Sequence, residues 1–364
     1  MILMLKNNLQ IKILYIRIIL FAGLFLLSIE SRSQDAQFSQ FYESPLTLNP
    51  SLAGSFAGDV RILANYKNQW SSVSVPYKTF AFSGDMVVMR DKFESGFPGI
   101  GISVMSDKAG TSKLGTNQAN LSIAYHVHIS YLNFISAGIN MGYSQRSIDF
   151  NNLQWNSQYD GYHYDPSLPS LEKDYSESKS YPDVGAGLQW TYKKGEMYST
   201  ANDEQYINAG ISFFHLNNPN VSFYNSAQDR LPTRLALHGS YRTGLKNSNM
   251  SVASSFLYEK QGPIRNIILG ASVNYRLIDE SKITGIIKGA AISFGANYRF
   301  RDAIIPIILI QFSNYTVSLS YDVNVSRFKK ASLGREGLEV SLKFVNLNPF
   351  SNEHTHNKNP LHYD

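Results

Sequence analysis

The 364-residue chain contains no cysteine, few charged residues and only a short unbroken apolar run near its N-terminus. The absence of cysteine excludes a disulfide framework and a lipid-anchored N-terminal cysteine. Charged residues make up 17% of the chain, against about 25% in an average soluble domain. The apolar run from Ile18 to Ile29 is shorter than the roughly 20 residues that an anchoring transmembrane helix needs. Stability therefore has to come from a large hydrogen-bonded fold.

Three basic residues, Lys6, Lys12 and Arg17, precede that apolar run, and small or polar residues follow it up to Ser33. This layout is typical of a secretory signal peptide, which we predict to span residues 1–33. The net charge of +5 depends on this segment: without its four basic residues and one acidic residue, 29 basic and 27 acidic residues remain. Basic and acidic residues are therefore almost equal in number. A nucleic-acid-binding surface needs an excess of basic residues, so we expect no nucleic-acid partner.

The stretch from Asp59 to Val345 repeats one pattern about fourteen times: apolar and polar residues alternate for roughly ten positions, and a polar turn follows. Because strand side chains have a period of two, each repeat has one apolar face and one small or polar face. A tilted strand of about 9–11 residues can cross a bilayer. In one repeat the apolar face consists of Leu121, Ile123, Tyr125, Val127 and Ile129.

This alternation suits either a soluble sandwich or a membrane barrel. A sandwich of this many long strands would show separate domains and linkers, and we find neither. Aromatic residues reach 13%, with 23 Tyr and 21 Phe, and aromatic side chains are favoured at membrane–water interfaces. We therefore predict an all-β fold: a transmembrane antiparallel β-barrel of about 14 strands, with the lipid bilayer of the outer membrane around it.

The predicted barrel spans residues 59–345, with a polar tail over residues 346–364. Residues 34–58 before it do not alternate, and Pro45 and Pro50 argue against a strand there. We predict a periplasmic segment with two alternative roles: a leader that packs across the barrel mouth, or a docking segment for a periplasmic partner. The candidate docking residues are Phe38, Phe41, Tyr42 and Pro50.

The connections between the strands predict which end of the barrel faces the cell surface. If the N-terminus lies in the periplasm, the outward connections include Ile148 to Pro182, His215 to Leu231 and Asn324 to Arg335. Long outer loops and short periplasmic turns are the usual asymmetry of outer-membrane barrels. The asymmetry is imperfect here, because Met89 to Pro98 and Lys193 to Glu204 are inward and moderately long.

Nine segments are specific in their order and spacing when they are taken together. They are QDAQFSQFYESPLTLNPSLAGS from Gln34, RILANYKNQW from Arg61, YKTFAFSGD from Tyr77, GIGISVMSDKAG from Gly99, HLNNPNVSF from His215, RLPTRLALHGSYR from Arg230, YEKQGP from Tyr258, SYDVNVSRF from Ser320 and GLEVSLKF from Gly337. With these segments the chain resembles the PorP/SprF family over nearly its whole length after the signal peptide. Within that family it is most similar to the SprF branch, which is associated with gliding motility.

The resemblance implies an outer-membrane component of the type IX secretion system of Bacteroidetes. It implies two kinds of partner: a secreted adhesin with a C-terminal sorting domain, and components of the secretion or gliding machinery. The implied role is retention of that cargo and its coupling to the machinery. The resemblance implies neither catalysis nor a cofactor.

The family-like segments concentrate in the outward connections, and we predict that this rim and the adjoining lumen receive the secreted partner. A plainer interpretation is that the glycines and prolines among them only set loop geometry. The candidate rim residues are Trp70, Tyr77, Asp107, Gly110, Asn218, Pro219, Phe223, Gln261, Asn324 and Arg327.

Charged and histidine residues at inward positions of the strands form a second candidate set. They either fix the barrel through a buried network or bind a partner segment that enters the mouth. His126 and His128 share a strand face, but a zinc site needs a third ligand with informative spacing, and we find none. The candidate lumen residues are Asp85, His126, His128, Arg299, Glu339 and Lys343.

Two functions compete: an adaptor barrel for type IX cargo, and an outer-membrane porin or solute transporter. An outer-membrane enzyme has no supporting arrangement of residues. A lumen plugged by the N-terminal segment favours the adaptor, whereas an open polar channel favours transport.

Overall fold

The computed structural model describes residues 35–72, 75–89, 95–150, 153–171, 176–195, 202–224, 229–278, 289–326, 329–332 and 334–346. The signal peptide predicted for residues 1–33 and the tail predicted beyond Asn346 lie outside the described residues.

Fourteen antiparallel strands form one closed barrel, because β1 pairs with β14 from Val60 opposite Asn346 to Gln69 opposite Gly337. Every other strand pairs with its neighbours in the chain. This confirms the predicted fold and the predicted number of strands. The strands are β1 Val60–Gln69, β2 Tyr77–Val87, β3 Gly96–Ala109, β4 Leu114–Ser130, β5 Asn133–Ser147, β6 Ser178–Lys194, β7 Gln205–Phe214, β8 Arg234–Gly244, β9 Met250–Gln261, β10 Ile264–Ile278, β11 Ala290–Arg299, β12 Ala303–Phe312, β13 Tyr315–Asn324 and β14 Arg335–Asn346.

Most strands turn an apolar face outward and a small or polar face into the lumen, whereas β12 is apolar on both faces. On β4, Ile123 and Tyr125 are exposed on the outside, whereas Ser122, Ala124 and His126 are buried inside. A closed barrel satisfies every backbone hydrogen-bonding group without an edge strand. The polar and charged side chains of the strands therefore lie mainly on the inner face.

The helical elements of the described residues are short. They are α1 Pro45–Leu48, α2 Lys329–Ser332 and the 3-10 turns Phe41–Glu43, Pro50–Leu52 and Asn156–Gln158. Within the described part of the chain, no helix has the length and apolar character needed to cross a membrane.

The two ends of the barrel differ in their connections. The short-turn end is the one where β1 begins, and it includes the two-residue turns 131–132 and 313–314. The long-loop end is the opposite one, and it carries connections 148–177, 215–233 and 325–334. Strands β3 to β6 have 14, 17, 15 and 17 residues, more than a bilayer crossing requires. They form a taller wall beneath the longest loop.

Neighbouring residues on β12 test which face meets lipid. Ile308 is exposed on the outer face, and Leu309 lines a cavity in the lumen. Ile308→Arg should destabilise the barrel by about 2–4 kcal/mol, because an arginine near the bilayer midplane cannot be solvated. The measurement is the urea midpoint of folding into liposomes. Leu309→Arg is the matched control and should cost far less, and equal costs would contradict the assigned faces.

Candidate functional site

Residues 35–58, named the plug here, run through the barrel lumen. The plug starts near the long-loop end, where the backbone nitrogen of Asp35 donates to Gln261 Oε1 at 3.1 Å. It finishes near the short-turn end, where the backbone nitrogen of Gly54 donates to Asp85 Oδ2 at 2.8 Å. Its prolines occupy the first positions of two helical turns, where no backbone donor is required.

Two wall carboxylates near the long-loop end hold the plug backbone and side chains. Glu339 accepts hydrogen bonds from the backbone nitrogens of Ser39 at 2.8 Å and Gln40 at 3.0 Å. Asp322 accepts from the Ser39 hydroxyl at 2.7 Å. Lys67 Nζ lies 3.7 Å from Glu339 and 3.8 Å from Asp322, and it also donates to Ser39 Oγ at 2.8 Å. These side chains are almost fully buried, and the plug adds hydrogen bonds to a charge network that the wall residues form among themselves.

Arg299 extends this network across three strands. It reaches from the end of β11 to Asp322 on β13 at 3.0 Å and to Glu336 on β14 at 2.6 Å. Its Nη1 also donates to Ser39 Oγ at 3.3 Å. Arg299 passes over strand β12, whose inward side chains, such as Ile305, are apolar. That strand contains no carboxylate with which Arg299 could pair.

Asp35 lies in a second charged cluster. Its carboxylate is 2.7 Å from His215 Nε2 and 3.4 Å from Arg234 Nε, while His215 Nδ1 is 2.9 Å from Asp183. Burial alone would raise the pKa of Asp35, but His215 and Arg234 outweigh it and hold that pKa well below its usual range. Burial alone would lower the pKa of His215, but Asp35 and Asp183 outweigh it and raise that pKa to about 9.

A bidentate ion pair fixes the other end of the plug. Arg61 donates to Asp85 through Nε at 2.9 Å and Nη2 at 2.8 Å. The same Nη2 donates to the carbonyl oxygen of Leu52 at 3.2 Å. His126 Nε2 lies 2.8 Å from the carbonyl oxygen of Ala53. The plug therefore joins β1 only after passing through this clamp.

Asn49 anchors the middle of the plug. Its carboxamide oxygen accepts from the backbone nitrogen of Ser51 at 2.9 Å and so caps the second 3-10 turn. Its nitrogen donates to the carbonyl oxygen of Leu188 at 3.1 Å and lies 3.1 Å from His238 Nε2. Asn49 is completely buried, so each of these polar contacts replaces water that the site excludes.

Glycines on the wall make room for the plug backbone. A Cβ on Gly99 would lie 2.1 Å from the carbonyl oxygen of Ala53, and one on Gly138 would lie 2.5 Å from the backbone nitrogen of Ser51. Such contacts are shorter than any real Cβ allows. These glycines therefore allow the plug backbone to lie close against the backbone of the wall.

Apolar side chains of the plug pack against the few apolar residues on the inner face. Phe41, Leu48 and Leu52 form one buried cluster with Leu257 and Ile268 on the wall, joined by Ala236. Phe38 packs separately with Ala81 and Met105. Burying such side chains contributes roughly 1.5–3 kcal/mol each. The plug is thus held by apolar burial as well as by charge.

The predicted lumen residues face inward, and most of them meet the plug. Asp85, His126, Arg299 and Glu339 do so through the contacts above, and Lys343 Nζ lies 3.0 Å from the plug's Glu43. His128 packs instead against the rings of Phe97 and Phe134, with centroids 6.2 and 4.6 Å away. In the described part of the chain, no group of three or more His, Asp or Glu side chains could hold a metal ion.

The predicted rim residues divide into loop residues and buried inward residues. Trp70 and Tyr77 stack edge to face 4.8 Å apart, and Gly110 turns a loop at φ +68°. Three rim residues accept hydrogen bonds that hold the 215–224 loop. The acceptors are Asn218 Oδ1, bonded by Thr233, the Pro219 carbonyl, bonded by Leu231, and the Phe223 carbonyl, bonded by Ser176.

Three other rim residues lie on the strands. Asp107 accepts a hydrogen bond from Thr79 at 2.6 Å on the inner wall, and Gln261 accepts one from the Asp35 nitrogen. Asn324 accepts one from the Ser326 nitrogen at 2.8 Å. Arg327 lies outside the described residues.

The predicted docking residues lie inside the barrel. Phe38, Phe41 and Pro50 are buried against this chain's own wall, and Tyr42 is half-buried there. In this arrangement their side chains fill the lumen. Of the two predicted roles, a leader that packs across the barrel mouth is closer to this position, although the segment runs through the lumen.

The sequence analysis missed several residues that hold the plug. Two of them, Arg61 and Lys67, alternate on β1 with the outward residues Ile62 and Tyr66. Charge at an inward position of a strand was the signal that could have identified them, as it did Glu339. The others missed are Asp35, Asn49, Asp183, His215, Arg234, His238, Asp322 and Glu336.

Comparison with known families gives one match. The sequence model described as "Type IX secretion system membrane protein PorP/SprF" matches residues 30–344. No curated protein matches the chain.

Several solved structures are similar at low sequence identity. A Pseudomonas aeruginosa FadL homologue is 10% identical, with a TM-score of 0.46, covering 81% of this chain and 91% of that one. The P. putida toluene transporter TodX is 9% identical, with a TM-score of 0.43, covering 82% and 93%. BamA from Haemophilus ducreyi lacking POTRA domains 1–3 is 10% identical, with a TM-score of 0.41, covering 79% and 70%. Likenesses at this level say nothing of what this chain binds.

Gly138→Ala should displace the plug, because the added Cβ would overlap Ser51 and Pro50. The reporter is Ala53→Cys, which is buried and is the only thiol in a chain without cysteine. We expect maleimide to label it at least about tenfold faster, a loss of about 1.4 kcal/mol of plug binding. Gly84→Ala is the control, since the nearest atom to its Cβ is 3.8 Å away. Equal labelling in both variants would show that the close packing at Gly138 is unimportant.

Raising the pH should loosen the Asp35 end of the plug. The folded pKa of His215 is about 9, above its ordinary 6.5. Its stabilising charge is therefore fully present below pH 6.5 and is lost as the pH rises through 9. The loss is at most about 3 kcal/mol, measured as the urea midpoint between pH 6.5 and 10. His215→Gln should remove this dependence, and a variant that keeps the wild-type pH profile would refute the role of His215.

Proposed function

The chain belongs to the PorP/SprF family of type IX secretion system membrane proteins, and from this premise we propose that it is an adaptor of the outer membrane. In this role it retains a secreted adhesin by its C-terminal sorting domain and couples that cargo to the secretion or gliding machinery. The observation that carries the proposal is the plug, which fills the lumen and is held by ion networks at both ends.

A barrel with this plug suits binding better than passage. A solute path through the lumen would need the plug to move, and Glu339, Asp322 and Asp85 would then keep their wall cations but lose their hydrogen bonds from the plug. A hydrogen bond to a charged group contributes about 1.5–3 kcal/mol. Several such bonds would be lost together, so we infer that the plug is a permanent part of the barrel.

The runner-up is a porin or solute transporter. A cavity of about 730 Å³ on the short-turn side of the plug favours it, since ligand sites are usually about 300–1,000 Å³. The same cavity also suits an adaptor, because it ends against the plug residues Phe41 and Tyr42.

We propose that the long-loop end faces the cell surface, as long loops do in outer-membrane barrels. Residues 153–171 of the longest loop are internally hydrogen-bonded: Gln158 Nε2 donates to the Leu168 carbonyl at 2.9 Å, and Asp160 accepts from two backbone nitrogens at 2.8 Å. The pKa of Asp160 is accordingly below its usual range. This loop presents Tyr159 and Tyr162, the latter 91% exposed. Tyrosines held in this way are favoured in protein contacts.

Replacing both Tyr159 and Tyr162 by serine should weaken cargo capture about tenfold or more, because such aromatic residues carry much of the energy at protein interfaces. The measurement is a pull-down of the tagged chain from detergent-solubilised outer membranes, with the secreted sorting domain quantified in the eluate. The control is Tyr131→Ser, an exposed tyrosine in a turn at the opposite end. If the wild-type chain captures no secreted sorting domain, the adaptor proposal fails. If both variants capture equally, the long-loop rim is not the binding surface.

A further inference from the structure

The outer face of the barrel is uneven in its charge. Every carboxylate on the fourteen strands lies at an inward position, and these residues are Asp85, Asp107, Asp183, Glu259, Asp322, Glu336 and Glu339. A lysine at an outward position near the long-loop end therefore has no strand carboxylate on its own face. An anion that balances it has to come from outside the strands.

Two outward lysines face each other across neighbouring strands at the long-loop end. Lys78 on β2 is the register partner of Lys108 on β3, and both residues are exposed. Within the described part of the chain, neither lysine forms an ion pair. Like charges directly opposite on antiparallel strands destabilise a sheet. Because the Cβ atoms of such partners are about 4.5–5.5 Å apart, one phosphate can contact both ammonium groups and replace this repulsion by attraction.

A groove of about 380 Å³ lies on the outer face below this pair, toward the middle of the barrel. Phe80 and Ser106 on its lining are the next outward residues after the two lysines. Val104 and Tyr143 also line it, and they flank Ala119 on the strand between them. The small side chain of Ala119 leaves the space that forms the groove.

The edge of the groove nearest to the lysines is polar. Ser106, Asn117 and Gln145 follow one another there across β3, β4 and β5. The Ser106 hydroxyl donates to Asn117 Oδ1 at 2.8 Å, so this bond leaves the Asn117 nitrogen as a donor. Carboxamides both donate and accept hydrogen bonds, as sugar hydroxyls do. From the loops toward the membrane centre, the order is therefore cation, hydrogen-bonding edge and apolar groove.

The apolar surface continues beyond this groove. Ile123 lies four residues after Ala119 on β4, which is a distance of about 13 Å along a strand. It lines a second outer groove of about 500 Å³, together with the small residues Ala137 and Ala186. The two grooves thus follow one another along the direction in which the acyl chains of a bilayer lie.

We propose that the Lys78–Lys108 pair and the groove below it bind one phosphorylated glycolipid. Its phosphate bridges the two ammonium groups, its sugar hydroxyls bond Asn117 and Gln145, and an acyl chain lies over Ala119. A lipid is the occupant because this face of a membrane barrel meets the bilayer. The inference takes only the orientation from the proposed function: with the long-loop end at the cell surface, the lipid belongs to the outer leaflet.

Charge removal tests the site. The probe is lipid A, a phosphorylated glucosamine lipid, added to the purified full-length protein in neutral detergent, and native mass spectrometry counts the bound lipid. Lys78→Gln combined with Lys108→Gln should weaken binding about thirtyfold, as expected for two basic residues near anionic lipid. The control removes the charge of Lys260 and Arg265, a second exposed basic pair at the long-loop end that does not line the groove.

We expect the control pair, replaced by glutamine, to lose at most about threefold. Equal loss in the two double variants would show that positive charge anywhere on the rim suffices, and it would overturn the proposal. A wild-type chain that retains no lipid A would overturn it as well.

Filling the groove tests the lipid's shape without changing charge. Ala119→Trp should weaken lipid A binding about tenfold, whereas Ala296→Trp, at an exposed alanine on β11, should have little effect. Phosphatidylglycerol, which carries a phosphate but no sugar, should bind at least about fivefold more weakly than lipid A. Unchanged binding in Ala119→Trp, or equal binding of the two lipids, would contradict the proposed site.

A purely structural role for the lysines predicts a different result. In neutral detergent without lipid A, the Lys78–Lys108 double variant should unfold at the same urea concentration as the wild type or at a higher one, because the repulsion is relieved. A lower midpoint would mean that the pair stabilises the sheet by itself, against the proposal.

The cargo pull-down separates this inference from the proposed function. If the wild-type chain captures no sorting domain but retains lipid A, the adaptor role fails and the lipid site stands. If it captures the sorting domain but retains no lipid A, only the lipid site fails.

Discussion

The rest of the structure depends on a buried constraint: the carboxylates of Glu339 and Asp322 sit on the inner wall where water does not reach them. Lys67 and Arg299 balance their charge, and the plug adds hydrogen bonds, from the backbone nitrogens of Ser39 and Gln40 to Glu339 and from the Ser39 hydroxyl to Asp322. A hydrogen bond to a charged group contributes about 1.5–3 kcal/mol. The wall therefore needs the plug as much as the plug needs the wall.

The remaining contacts follow from this mutual dependence. A plug that stays in the lumen needs space, which glycines such as Gly99 and Gly138 supply, and it needs donors for its carbonyls, which Ser212 and Asn297 supply. The outer face takes no part in holding the plug and has to be apolar only where it meets lipid chains. The surface that we propose for the cargo is then the set of ordered loops at the long-loop end.

Much of the barrel could be predicted from the sequence, because lipid outside and polar groups inside impose a period of two. The alternating residues Leu121, Ile123, Tyr125, Val127 and Ile129 lie on β4, with their side chains on its outer face. The first residues of β6, from Ser178, extend the sheet with polar outward side chains such as Ser180 and lack the alternation, so no period of two marks where that strand begins. The path of the plug could not be predicted, since Ser39 and Glu339 are 300 residues apart and no local pattern pairs them.

A plug that remains in place closes the lumen to solutes. Liposomes that contain the intact chain, placed in isotonic sugars and amino acids, show by their swelling whether it does. We expect no swelling above that of protein-free liposomes. Rapid swelling, at a rate typical of an open porin of similar strand number, would show that the lumen is open and would favour a transporter.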